Sequence, residues 1–315
     1  MNVVHLSTED HDDACPGQAG DVHARPACGC PMKARAAHEK VRSADGTVIG
    51  YRRSGRGPGL ILVHGGMLAS QHFTKLAAAL STSFTVHVPD RRGRGLSGPH
   101  GTGFGVMREV EDLQALVAAT GASQIFGLSS GALVILRTAL VTPALDRIAL
   151  YEPPLSIDGS VPTDWLTRFD REIAAGRTVS ALVTGMKGLD TESSLFTRIP
   201  RFALVPLLAI GARLQGDGSP DEVPVEALIP TLRFDMQVIR EMADTIMDYA
   251  ALDARVLLLG GTKSAAYLRL ALRRLSEVLP HARSIDLPGV GHSGPENDGA
   301  PLVVAEVLHE FFGAR

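Results

Sequence analysis

Cysteine is almost missing from this chain. The three present, Cys15, Cys28 and Cys30, lie in the first 30 residues, and the rest of the 315 has none. An odd number confined to one end excludes a disulfide framework for the body. Cys28-Gly29-Cys30, even with His5, His11 and His23 close in sequence, match no standard zinc spacing, so neither a metal nor an organic cofactor is expected. Aromatic residues are scarce at 5%, whereas 33 glycines and 19 prolines suit a chain with many turns. Long apolar runs are missing too. The longest, 132–136 and 202–211, fall short of the ~20 residues that a spanning helix needs, so no membrane partner is expected. Charge of one sign is also lacking: the net charge is −3 with 21% charged residues, which gives no reason to expect a nucleic acid or an anionic surface. The first 30 residues hold acidic groups and no apolar stretch, so no signal peptide is visible and the cytoplasm is the expected location. Nothing here bears on the oligomeric state.

What remains is a globular chain long enough for one large domain with an insertion. Residues 1–36 are rich in Asp, His, Gly, Pro and Cys without periodicity and are expected to be disordered. From His38 the pattern becomes regular. His38–Ser43 and Val48–Arg53 flank Ala44-Asp45-Gly46 as a hairpin. Apolar strands are expected at 60–63, 84–88, 124–128, 147–151, 256–259 and 284–287. Helices are expected at 71–80, through Val106, Val110, Leu113 and Val117 on one face, and from Ser130 to about Val141. Two more carry Leu268, Leu272, Leu275 and Leu279, then Val304, Val307, Leu308 and Phe311, on their inner faces. Strands alternating with helices mean a parallel sheet covered on both faces. The rhythm fails over 155–250, where only helical pieces occur (165–175, 180–189, 223–232 and 236–249). The expected organisation is therefore a core of residues 37–154 and 251–315, with 155–250 inserted as a helical cap over the strands' carboxyl ends.

Gly127-Leu128-Ser129-Ser130-Gly131 stands where the strand at 124–128 runs into a helix. In a turn that tight the central residue takes strained backbone angles, and small residues two places to either side keep strand and helix apart. Ser129 is thereby lifted clear of the sheet. The following helix aims its free N–H groups at the same spot, where negative charge develops in acyl transfer. Three further signatures accompany it: His64-Gly65-Gly66 after the third strand, Asp90-Arg91-Arg92-Gly93-Arg94-Gly95-Leu96-Ser97 after the fourth, and Gly291-His292 after the last.

Together these four, in this order, resemble the α/β-hydrolase fold family over residues 38–313. The resemblance implies a mostly parallel eight-stranded α/β-hydrolase sheet with helices on both faces. It implies Ser129 as nucleophile and His292 as its base. The oxyanion hole would be the backbone N–H groups of Met67 and Ser130, with Gly66 an alternative to Met67. His64, Gly65 and Gly66 would form the oxyanion loop, the glycines because a side chain there would crowd the substrate. The Asp90–Ser97 run would brace the loop.

The sequence departs from the family pattern at the acid. The usual place, a few residues beyond the seventh strand, reads Gly260-Gly261-Thr262-Lys263-Ser264, without a carboxylate. Ser264 cannot offset the charge of an imidazolium. Some members take the acid from the end of the sixth strand, which here is Glu152; Asp235 and Asp244 in the cap are the other candidates. Leu195, Phe196, Ile199, Phe202, Leu204, Val205, Leu207 and Leu208 offer apolar cap surface for a small or medium acyl group. The expected activity is a serine hydrolase acting on an ester, thioester or lactone of a mostly apolar small molecule. Serine at the elbow, where dehalogenases and epoxide hydrolases of this fold carry aspartate, argues against those two chemistries. Non-hydrolytic or C–C bond chemistry on the same fold, and a receptor-like binding protein, are the alternatives.

Overall fold

A computed structural model of the chain describes residues 36–189, 199–214 and 222–313, the side chains of 209–214 excepted. The tail expected over 1–36, apart from Ala36, and cap residues Leu195 and Phe196 lie outside these residues. Strands β1 (Ala37–Arg42), β2 (Val48–Gly55), β3 (Gly59–Val63), β4 (Thr85–Pro89), β5 (Gln124–Leu128), β6 (Arg147–Tyr151), β7 (Arg255–Gly261) and β8 (Ala282–Leu287) form one sheet. Its order is β1-β2-β4-β3-β5-β6-β7-β8. β2 pairs antiparallel with β1 and β4, and every other pairing is parallel. The chain steps outward from β3 to β4 and then crosses back to β5, which opens a crevice at the carboxyl ends of β3 and β5.

Side chains of a strand alternate between faces, and here they divide between two cores. Leu60 and Leu62 of β3 pack on one side with Phe126, Val304, Leu308 and Phe312. Ile61 and Val63 pack on the other with Ile125, Leu113, Leu133 and Leu275. Each such residue, fully buried, contributes about 1.5–3 kcal/mol of transfer free energy. Helices α1 (Thr74–Leu80) and α9 (Pro301–Gly313) cover the first face; α2 (Val106–Thr120), α3 (Ser130–Ala139) and α8 (Ala266–Val278) cover the second. In α9 Phe312 continues the buried row of 304, 305 and 308, while the expected Val307 and Phe311 pack against the same core partly buried. The helix expected from Gln71 begins as a 3₁₀ turn, Ser70–Phe73, and becomes α-helical only at Thr74.

Between β6 and β7 lie α4 (Leu166–Ala174), α5 (Thr178–Leu189), α6 (Arg201–Leu214) and α7 (Leu232–Glu241). α6 was legible only as an apolar run, since Pro206 sits inside it. The helix expected over 223–232 is a single α turn, Val225–Leu228, followed by a 3₁₀ turn, Ile229–Thr231. The one expected over 236–249 is split: α7 ends at Glu241, and Ile246–Ala251 is a 3₁₀ turn. Asp244 makes the break, with φ 57°, donating its N–H to Ser156 O (2.9 Å) and accepting that of Asp158 (2.8 Å). It ties the two ends of the inserted segment together.

Candidate active site

Ser129 follows β5 directly, with φ 54° and ψ −127°. Its N–H donates to Tyr151 O on the neighbouring strand (2.9 Å). The flanking glycines are required by close approach. A Cβ at Gly127 would meet Ile135 Cδ1 at 2.5 Å, and one at Gly131 would meet His64 O at 2.4 Å. Met67 (φ 54°) and Glu152 (φ 48°) share the left-handed region, so three of the five such non-glycine residues among those described belong to this site. Each costs of order 1–3 kcal/mol, and strain of this kind gathers where geometry serves function.

Strand register brings the remaining groups together. Leu128 pairs with Tyr151, and Tyr151 with Leu259, so Ser129 and Glu152 leave the sheet at one level. Glu152 is fully buried. Its Oε1 accepts the Gly261 N–H at 2.6 Å, and its Oε2 lies 2.7 Å from His292 Nδ1. The His292 loop is anchored by Tyr151 Oη, which donates to Gly291 O at 2.7 Å. The glycines in the usual acid position have a physical reason: a Cβ on Gly261 would lie 2.2 Å from Val290 O, and one on Gly260 would meet Leu272. Ser264 Oγ has no hydrogen-bond partner among the described residues. Asp244 is committed to the ends of the inserted segment, and Asp235 to the arginines described below. With Nδ1 held by Glu152, Nε2 is the nitrogen on the opposite side of the His292 ring. Ser129 and His292 line the same cavity without a hydrogen bond between them in this structure. Such bonds commonly tighten only when substrate is present.

The loop after β3 faces the elbow. His64 is fully buried; its Nδ1 lies 3.0 Å from Gly65 O, and its Nε2 accepts the Arg91 N–H at 3.2 Å. Burial, then Arg94 and Arg91, push its pKa well below the ordinary value, so the imidazole is neutral and shapes the backbone. A Cβ on Gly65 would crowd Ser129 Cβ (3.0 Å), and one on Gly66 would meet Asp235 Oδ2 (3.1 Å). A side chain at either glycine would thus press on Ser129 or on a neighbouring carboxylate. No acceptor for the Met67 N–H is found among the described residues. Ser130, as the first residue of α3, has none one turn earlier.

Beneath the elbow lies a buried charge network that sequence reasoning reduced to loop bracing. Arg91 donates to Glu109 through Nε and Nη2 (2.6 and 2.8 Å), and through Nη1 to Asp235 (2.8 Å) and Ser130 Oγ (2.9 Å). Arg94 Nη2 reaches the other Asp235 oxygen at 2.6 Å, and Ser130 Oγ donates to Asp235 at 2.8 Å. Two guanidiniums face two carboxylates, so the buried charge balances. Burial alone would raise the Asp235 pKa, but Arg94 and Arg91 outweigh it and hold it down to about 2. A visible signal existed: Glu109 and Asp235 are carboxylates on the buried faces of amphipathic helices, α2 and α7. A carboxylate at such a position needs a partner.

The cavity above Ser129 has a volume of about 550 Å³. Its walls are mostly apolar, with Met67 and Leu128 from the core and Leu182, Met186, Leu232 and Met236 from the inserted segment. Among the described residues no cluster of side chains could hold a metal ion, and no helix is long and apolar enough to cross a membrane.

A model of the alpha/beta hydrolase family matches residues 60–307. The chain is similar to an alpha/beta hydrolase structure from Sphaerobacter thermophilus, with 32% identity and a TM-score of 0.70, covering 87% of this chain and all of that one. It is 25% identical over 268 residues to a 2-(acetamidomethylene)succinate hydrolase of Mesorhizobium japonicum, across 84% of this chain and 92% of that protein. It is 26% identical over 268 residues to a pimeloyl-[acyl-carrier protein] methyl ester esterase of Xanthomonas campestris, across 82% and 97%.

Proposed function

This chain belongs to the alpha/beta hydrolase family, and we propose that it is a serine hydrolase cleaving a carboxylic ester, thioester or lactone of a mostly apolar small molecule through an acyl-enzyme on Ser129. Residues 155–250 act as the cap that closes the acyl cavity. Ser129 Oγ attacks the carbonyl carbon while His292 Nε2 takes its proton. Glu152 holds the ring through Nδ1 and offsets the imidazolium charge. The backbone N–H groups of Met67 and Ser130 receive the oxyanion, each worth roughly 3 kcal/mol of barrier. His292 returns the proton to the departing alcohol or thiol. Water then enters, gives a proton to His292 and attacks the acyl carbon, and the carboxylic acid leaves as Ser129 regains its hydrogen.

The observation that carries this reading is the 2.7 Å approach of Glu152 to His292, beside a serine held in a left-handed turn on the same cavity. It supports Glu152 as the carboxylate that the sequence lacks after β7, and it weighs against a receptor-like reading. The two relatives are named for hydrolytic reactions, one of them on a methyl ester. A fluorophosphonate probe tests the reading: the wild type is expected to be labelled and Ser129→Ala is not. An unlabelled wild type, or equal labelling of the variant, overturns it.

A further inference from the structure

The two N–H groups assigned to the oxyanion come from separate segments, the loop after β3 and the start of α3. Among the described residues no hydrogen bond joins Met67 to Ser130 directly. Two side chains span the gap. Arg91 Nη1 donates to Ser130 Oγ (2.9 Å), while the Arg91 backbone N–H donates to the ring of His64, at the start of the Met67 loop (3.2 Å). Asp235 Oδ1 accepts from Ser130 Oγ (2.8 Å), while Oδ2 lies against Gly66, the residue before Met67, 3.1 Å from where a Cβ would sit. Arg91 Nη1 also donates to Asp235 Oδ1 at 2.8 Å, so Arg91, Asp235 and Ser130 close a ring of contacts. All three are buried.

The ring is itself held from outside. Glu109 takes Nε and Nη2 of Arg91 (2.6 and 2.8 Å), and Arg94 Nη2 takes the second oxygen of Asp235 (2.6 Å). Helix α7, which carries Asp235, is tied to the entry of α2: Gln237 Nε2 donates to Phe104 O (2.7 Å), and Glu241 Oε2 accepts the Val106 N–H (2.6 Å). The same helix gives Leu232, Met236 and Ile239 to the cavity wall. A buried ion pair is weak evidence for stability, since apolar residues of similar volume often serve as well. The neighbouring buried pair, Arg92 with Asp112 (2.7 and 2.6 Å), makes the contrast: it touches no residue of the oxyanion hole, whereas Arg91 and Asp235 touch both sides of it. Donors must stand in place before charge develops, and a misplacement of about 1 Å costs on the order of 10²-fold in rate.

We propose that Arg91 and Asp235 are positioning residues that fix the N–H groups of Met67 and Ser130 relative to each other, so that the oxyanion hole is preformed and shares its support with the cavity wall. The proposal rests on the serine hydrolase reading for the chemistry but not for the geometry. The test uses a p-nitrophenyl ester and three variants. Ser130→Ala removes the hydroxyl and keeps both the backbone N–H and the ion pairs; it is expected to lower kcat about tenfold with KM little changed. Asp235→Asn is expected to lower kcat on the order of 10²-fold. The double variant should be no slower than Asp235→Asn, because both substitutions cut one chain of contacts. Asp112→Asn, which also breaks a buried ion pair, should keep kcat within about twofold of the wild type. Should Asp235→Asn fail to fold, Ser130→Ala carries the test. A kcat within about twofold of the wild type in either folded variant, or an equal loss in Asp112→Asn, overturns the proposal.

A second arm stands apart from turnover. Backbone amide NMR of the wild type and the variants reads the two donors directly. The Met67 amide signal is expected to shift in Ser130→Ala and in Asp235→Asn, and to stay in place in Asp112→Asn. That pattern in a wild type that neither turns over the ester nor reacts with a fluorophosphonate supports the brace, and it is then the hydrolase reading that fails. A Met67 signal unmoved in Ser130→Ala, or moved as far in Asp112→Asn, overturns the proposal.

Discussion

Glu152 Oε2 lies 2.7 Å from His292 Nδ1, across 140 residues of sequence, and the other carboxylate oxygen is pinned by the Gly261 N–H at 2.6 Å. Glutamine at 152 can still accept from Gly261 but cannot offset an imidazolium. Glu152→Gln is expected to lower kcat by on the order of 10³-fold or more with KM little changed. Steady-state kinetics on a p-nitrophenyl ester check this. A loss of only a fewfold would remove Glu152 from the role.

The left-handed turn at Ser129 stores strain that glycine does not feel. Ser129→Gly and Ser129→Ala are both expected to be inactive, but the glycine variant should be the more stable by about 1 kcal/mol. Thermal or urea unfolding of the two variants side by side measures the difference. An alanine variant at least as stable as the glycine variant would mean that the turn is not strained.

Asp235 joins α7 to the arginines behind the elbow. Asp235→Asn leaves Arg91 and Arg94 facing Glu109 alone, and breaking a buried pair of this kind costs about 3–5 kcal/mol. A carboxyl held below its ordinary value stabilises the fold at pH above that value and loses the contribution as the group is protonated. With a pKa of about 2 against the usual 3.8, Asp235 should supply about 2 kcal/mol that disappears between roughly pH 4 and pH 2. Buried His64 acts in a separate window: the unfolded chain takes up a proton below ~6.5 that the folded state refuses, so stability falls as pH drops from there. Urea unfolding across pH should show both limbs, the lower one shallower in Asp235→Asn, since Asp45 and Glu172 are also held below their ordinary values, and the upper one shallower in His64→Gln. An unchanged profile in either variant contradicts that assignment.

The cavity sets an expected chain-length profile. With each buried methylene worth about 0.8 kcal/mol, kcat/KM on p-nitrophenyl esters should rise about fourfold per added carbon until the space is filled. Met186, in the wall, can be enlarged to shorten it. Met186→Trp is expected to move the optimum to shorter acyl chains while acetyl turnover changes little. A flat profile, or an optimum that does not move, would place the acyl group elsewhere.

Outside the inserted segment, the order of strands and helices, the elbow with its small flanking residues, and the serine and histidine were all legible in the sequence, because period, turn chemistry and close backbone approach are local constraints. Glu152 was legible only as one candidate among three carboxylates. Which carboxylate meets His292 depends on the register of β5, β6 and β7 and on the room left by Gly260 and Gly261, and register is a property of paired strands. The Arg91, Arg94, Asp235 and Ser130 network was hidden for the same reason: its members are separated by up to 144 residues, and each looks like an ordinary surface charge until burial forces it to find a partner. The sequence by itself determined which residues could do chemistry here; tertiary packing decided which of them meet, since only the folded sheet and the inserted helices bring those charges out of water and within hydrogen-bonding reach.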